Sequence, residues 1–172
     1  MVEQGGNPLK IGATIPNYDL ETTKGNFSFH EFLNDEEKPW TIFFSHPADY
    51  TPVCTTELGA AHMASAAFDK MNAKMIGVSC DSVESHHGWT KDVLARIKSD
   101  DPVLAFPIID DKSRKIVSEL GMIDPEEINS AGIPMPARVL VILHKTTVKL
   151  SILYPASCGR NFDEIFRVLT SL

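Results

Sequence analysis

The segment W-T-I-F-F-S-H-P-A-D-Y-T-P-V-C-T-T-E, residues 40–57, constrains the fold more than any other stretch of the chain. An apolar, aromatic run over residues 40–44 reads as a buried strand, and a polar turn carrying Pro47 and Pro52 ends it. A helix is predicted to start at that turn. Thr51 suits its N-cap and Pro52 its first position, where a missing N–H loses nothing, so Cys54 falls within the first turn. Backbone N–H groups there have no intrahelical partner and the helix dipole is positive, which favours the thiolate of a sulfur at this point. A lone cysteine is more often a small buried hydrophobe. Here strand, turn, cap and first-turn thiol coincide, and together they favour a reactive group.

The rest of the chain supplies a frame for that turn. Residues 11–29 read as short extended segments with a hairpin turn at 23–26, and residues 30–34 as a brief helical turn. Beyond Cys54, the apolar residues Leu58, Ala61, Met63, Ala64, Ala67, Phe68 and Met71 recur at helical spacing. A second strand is predicted over 74–80, then a helix to about residue 97 capped by Asp81 or Ser82, which makes the two strands a parallel pair. Residues 106–109 read as a short extended piece, and 112–120 as a helix closed by Gly121. Residues 124–136 are rich in turn formers. Segments 138–144 and 148–154 form a predicted hairpin across 145–147, and Phe162, Ile165, Phe166 and Leu169 mark a final helix.

Composition narrows the function classes. A chain of 172 residues suffices for one substantial core, so a single domain over 1–172 is expected. With 16 basic and 23 acidic residues the net charge is −7 and the basic residues are scattered, which argues against nucleic-acid or anionic-membrane surfaces. No C-x-x-C pair or His-rich tract points to a metal, and three sparse cysteines, Cys54, Cys80 and Cys158, suit reduced thiols better than a disulfide framework. The N-terminal stretch has no apolar h-region and no segment reaches membrane-spanning length, so the cytoplasm is the expected compartment.

The motif P-x-x-x-T-x-x-C, here Pro47, Thr51 and Cys54, resembles the active-site signature of peroxiredoxins. The longer F-S-H-P-A-D-Y-T-P-V-C-T-T-E is similar to the one-cysteine, peroxiredoxin-6-like branch, as are D-S-V-E-S-H, F-P-I-I-D-D, P-A-R-V and L-S-I-L-Y-P followed by G-R-N-F-D-E-I. The resemblance spans nearly the whole chain. It implies a thioredoxin-like α/β fold: a central mixed β-sheet flanked by helices, with an N-terminal extension and an inserted helical segment. The element order read above agrees.

The resemblance also implies a thiol-dependent peroxidase that reduces hydrogen peroxide and alkyl hydroperoxides without a cofactor or metal. Cys54 would be the nucleophile, passing to sulfenic acid. Thr51 would hydrogen-bond peroxide and thiolate, Arg138 would supply positive charge, Pro47 would shield the pocket, and the backbone N–H groups of Val53 and Cys54 would complete the site. Taken alone, an arginine opening an apolar strand fits a surface or edge as well, and Thr51 fits a simple cap. His46 either orients a peroxide or sulfenic acid or fills space at the strand end. Glu57 and Arg160 either pair with Arg138 or form an ordinary surface ion pair, while Trp89 and His86–His87 read as packing and helix surface.

Two-cysteine relatives carry a resolving thiol in a C-terminal Val-Cys-Pro segment or on the same helix. Neither pattern is present, and the fifth residue after Cys54 is Gly59, so an external thiol, glutathione or a thioredoxin-type protein, is the implied reductant. A homodimer is implied too, through the edge of the final hairpin. One-cysteine relatives continue into a C-terminal domain where this chain stops at Leu172, so a truncated or short form is expected. The region before the central strand lacks a G-x-S-x-G, which removes support for a lipase-like activity. Two other classes compete: a redox-regulated binding protein or holdase, and a cysteine hydrolase using His46 as base.

Overall fold

The computed structural model describes residues 7–172; the start of the N-terminal stretch read above, residues 1–6, lies outside them. The elements follow in the order β1 (Asp19–Thr22), β2 (Gly25–Ser28), α1 (Phe29–Leu33), β3 (Trp40–Ser45), α2 (Pro52–Asp69), β4 (Ala73–Ser79) and α3 (Val83–Arg96). They continue with β5 (Ile108–Asp110), α4 (Lys115–Glu119), β6 (Ile123–Ile128), β7 (Pro134–Pro136), β8 (Arg138–His144), β9 (Thr147–Tyr154) and α5 (Phe162–Ser171). Seven strands form one mixed sheet in the order β2-β1-β5-β4-β3-β8-β9. β3 is its hub, parallel to β4 with Phe43 opposite Ile76, and antiparallel to β8 with Phe44 opposite Leu140.

Alternation along the central strands divides the core in two, because successive strand side chains point to opposite faces. Phe43, Ile76, Val78, Val139 and Val141 pack with Phe29, Leu33, Ile116 and Val117 on one face. Ile42, Phe44, Met75, Leu140 and Ile142 pack on the other with Leu58 and Phe68 of α2, Trp89 and Val93 of α3, and Ile165 and Leu169 of α5. The expected thioredoxin-like sheet flanked by helices is therefore present.

Several local expectations change. In α2, Met63 and Ala67 face out, while Glu57, Gly59 and His62 are buried. The reason is partly polar: His62 binds Asp101 through Nε2 (2.9 Å) and accepts from the Ala105 N–H through Nδ1 (3.1 Å). Helix α4 begins at Lys115 instead of 112, because Asp111 holds the preceding turn by accepting from Val117 N (2.9 Å) and Arg114 adopts a left-handed φ of 62°. Residues 124–136, expected as turns, contain the two-stranded sheet β6–β7, whose three prolines at 125, 134 and 136 hid it. At α3, Ser82 is the cap and accepts from Ser85 N (3.1 Å); the Asp81 carboxylate instead binds Ser79 Oγ and Asp49 N.

Candidate active site

The strand-to-helix turn forms as the local chemistry dictates. Thr51 takes the extended conformation at the N-cap of α2, Pro52 follows it, and Cys54 sits in the first turn, fully buried. One part of the expectation fails: Thr51 gives the helix no side-chain cap, and its hydroxyl donates to Ala48 O (3.1 Å). Pairing β8 beside β3 brings Arg138 to this point. Ser45, the last residue of β3, donates to Ala137 O (2.7 Å) and accepts from Val139 N (3.0 Å), so one buried hydroxyl grips the chain on both sides of Arg138.

The Arg138 guanidinium is buried and each of its contacts is directional. Nη1 lies 3.3 Å from Cys54 Sγ and 2.7 Å from Glu57 Oε2, and Nε donates to Ala156 O (2.7 Å). Glu57 follows Cys54 by three residues on α2, which places both on one helix face. Arg160 completes the group, donating to Glu57 through Nε (2.6 Å), Nη2 (3.0 Å) and its backbone N–H (2.8 Å), to Val139 O through Nη1, and lying over the Phe44 ring. This is no surface ion pair. Burial pushes the Glu57 carboxyl up, but the hydrogen bonds and charge of Arg160 and the charge of Arg138 outweigh it, leaving Glu57 below the usual carboxylate range. Two guanidiniums against one carboxylate leave one positive charge in excess beside the Cys54 sulfur.

A cavity of about 210 Å³ opens over this group, lined by Pro47, Thr51, Val53, Glu127, Met135 and Arg138 among others. Pro47, Thr51 and Arg138 thus share one opening, with the Cys54 sulfur beneath Arg138. Glu127 and Met135 come from the β6–β7 segment.

His46 lies next to the cavity wall but points into a second buried group. Its Nε2 donates to Asp49 Oδ1 (2.9 Å), and Asp49 Oδ2 accepts from His86 Nδ1 (2.7 Å) and Ser85 Oγ (2.8 Å). Burial pushes the His46 imidazole below its usual range, with Asp49 only partly opposing it; Asp49, raised by burial, is brought below the usual carboxylate range by both histidines. The hydrolase reading needs His46 paired with the thiol, but its Nε2 is committed to Asp49 and Nδ1 has no partner. His86, expected on the helix surface, is fully buried; His87 is exposed.

Comparison with known proteins places this geometry. The AhpC/TSA family model matches residues 11–150. The chain belongs to the AhpC/TSA family, the peroxiredoxins. Peroxiredoxin-6 of Sus scrofa is 52% identical over 167 residues, which is 95% of this chain and 73% of that protein, and peroxiredoxin-6 of Homo sapiens is 50% identical over the same shares. Among solved structures, a variant of peroxiredoxin 6 of Arenicola marina superposes with a TM-score of 0.87 at 41% identity, covering 94% of this chain and 72% of that one. A yeast mitochondrial one-cysteine peroxiredoxin gives 0.82 at 36% identity, covering 94% and 75%. The peroxiredoxin is accordingly a thiol-dependent peroxidase of the one-cysteine branch.

The other two cysteines of this peroxiredoxin differ sharply. Cys80 follows β4 and is half-buried, and burial pushes its thiol up to about 11; Cys158 is exposed in the loop before α5. His46, Asp49 and His86 bring three ligand atoms within 4.8 Å of one another, and the facing atoms are joined by hydrogen bonds of 2.9 and 2.7 Å. Among the described residues no helix is long and apolar enough to cross a membrane. Sequence reasoning missed Ser45, Asp49 and Ser85. Each is a small polar residue whose partner is remote in the chain, so no local pattern marks it.

Proposed function

We propose that Cys54 is the peroxidatic sulfur and that Arg138, Thr51 and Pro47 form its working surroundings. The observation that carries this reading is the 3.3 Å approach of Arg138 Nη1 to Cys54 Sγ inside a buried group with one surplus positive charge. The thiolate attacks one peroxide oxygen, the O–O bond breaks, and the sulfur becomes sulfenic acid while the other oxygen leaves as an alkoxide or hydroxide and takes a proton. Charge appearing on the leaving oxygen is met by the Arg138 guanidinium and by the first-turn N–H groups of Val53 and Cys54. Thr51, whose hydrogen goes to Ala48 O, keeps its lone pairs for the peroxide O–H. Pro47 walls the cavity against water, and His46 Nδ1, buried and unpartnered, serves as an acceptor for the sulfenic acid or peroxide. Glu57 and Arg160 hold Arg138 in place.

An external thiol closes the cycle. It attacks the sulfenic acid to give a mixed disulfide and water, and a second thiol releases Cys54. The yeast mitochondrial relative is described as resolved through glutathione and thioredoxin systems, which supports glutathione or a thioredoxin-type protein as reductant here. Residues 1–172 act as one domain, and the protein works in the cytoplasm as a homodimer joined at the edge strand β9, where Leu153 is exposed. Peroxide consumption by wild type and by Cys54→Ser, with glutathione supplied, tests the reading: the variant should be inactive, and full activity in it would overturn the assignment.

A further inference from the structure

The cluster behind the cavity has a role that goes beyond packing. We propose that Asp49 and His86 are positioning residues of the peroxidase site, holding His46 in the tautomer with its proton on Nε2 and fastening residues 46–51 to α3. The inference rests on the peroxidase reading above.

Hydrogen-bond valence fixes the protons. An ionised carboxylate only accepts, so the His46 atom 2.9 Å from Asp49 Oδ1 carries a hydrogen and Nδ1 is left as a bare acceptor, buried and without a partner. His86 faces acceptors on both sides: Asp49 Oδ2 at 2.7 Å from Nδ1 and the carbonyl oxygen of Ile109 at 3.1 Å from Nε2. A proton therefore sits on Nε2, and another lies on Nδ1 or within its short bond to Asp49. The trio holds one proton more than two neutral imidazoles and a carboxylate, which cancels the Asp49 charge in a site closed to water.

The same contacts fix the loop. The Asp49 N–H donates to Asp81 Oδ2 (2.9 Å), and the next residue, Tyr50, holds a left-handed φ of 59°, a conformation that a non-glycine residue keeps only when its surroundings demand it. The Tyr50 hydroxyl leans on Gly88 of α3, where a Cβ would lie 2.4 Å from it. Trp89, one residue on, faces the His46 ring at 5.0 Å and donates from Nε1 to Thr55 Oγ1 (2.9 Å), the residue after Cys54. Helix α3 thus braces the loop that carries Pro47 and Thr51, and the first turns of α2, from one side. Displacing that loop by about 1 Å is enough to cost on the order of 10²-fold in rate.

The test combines kinetics with imidazole 15N NMR on the wild-type protein. His46 should show one protonated and one bare nitrogen, with Nδ1 bare, and His86 two protonated nitrogens; a bare nitrogen on His86, or a proton on His46 Nδ1, would overturn the inference. Asp49→Asn, whose amide cannot accept from both histidines, should lower the peroxide kcat/KM about 10²-fold and change the His46 tautomer. His86→Leu should behave alike, and His86→Asn, which restores a donor facing Asp49, should recover most of the rate. Wild-type rates in Asp49→Asn and His86→Leu, with only a lowered melting temperature, would make the cluster structural and overturn the positioning role. Wild type with the expected tautomers but no peroxide consumption would instead overturn the peroxidase reading, and the catalytic half of this inference with it.

Discussion

One nitrogen of Arg138 joins Cys54 to Glu57: Nη1 stands 3.3 Å from the sulfur and 2.7 Å from Glu57 Oε2. The carboxylate therefore aims the guanidinium, and Arg160 holds the carboxylate through three donors of its own. Stability and chemistry in this site meet at Glu57.

Replacing Glu57 by Gln removes the carboxylate that two buried guanidiniums share. Removing one partner of a buried ion pair costs about 3–5 kcal/mol, so Glu57→Gln should unfold at a much lower urea concentration and lose peroxide turnover. The effect depends on pH in one direction. The folded Glu57 carboxyl lies below its unfolded value, so its stabilisation is complete above about pH 5 and disappears as pH falls through the folded value. Urea midpoints of wild type and variant should therefore converge in acid.

Arg138→Lys keeps a charge but not the fork that reaches Cys54, Glu57 and Ala156 O at once. Stopped-flow measurement of the peroxide rate constant should show a loss of about 10²-fold or more, the scale of removing one preorganised donor. A rate within twofold of wild type would mean that the guanidinium geometry is immaterial.

Ser45→Ala deletes the hydroxyl that grips β8 on both sides of Arg138. The Val139 N–H and Ala137 carbonyl would be left unpaired in the core, at about 1–3 kcal/mol, and Arg138 would lose its fixed origin. Thermal melting and peroxide kcat/KM should fall together. Stability loss without any rate change would separate Ser45 from the site.

Cys80 and Cys158 should differ in reactivity at pH 8. A thiol pushed up to about 11 by burial is protonated there, so iodoacetamide should label exposed Cys158 well before half-buried Cys80, as peptide mass spectrometry would read. Faster labelling of Cys80 would contradict its burial.

How much of this was legible in the sequence depended on how far apart the partners lie. Strand β3, the proline turn and the start of α2 are encoded within 18 residues, and they formed as expected from the apolar run and the prolines, with Thr51 at the N-cap position but its hydroxyl turned to Ala48 O. Arg138 is 84 residues from Cys54, and only the β3–β8 register brings them together, so its residue type alone left it a plausible edge residue and the family resemblance supplied the rest. Ser45, Asp49 and His86 carried little local signal, because Ser45 binds β8 neighbours 92 and 94 residues away and Asp49 and His86 bind each other across 37. The β6–β7 pair, which gives Glu127 and Met135 to the cavity, was hidden by prolines that usually mark turns.

The most direct test of Cys54 as the reacting sulfur is mass spectrometry of all three cysteine peptides after one equivalent of hydrogen peroxide, with dimedone present to trap sulfenic acid. The expected result is a dimedone adduct on Cys54 alone, with Cys80 and Cys158 unmodified. An adduct appearing first on Cys80 or Cys158, with Cys54 still a free thiol, would contradict it.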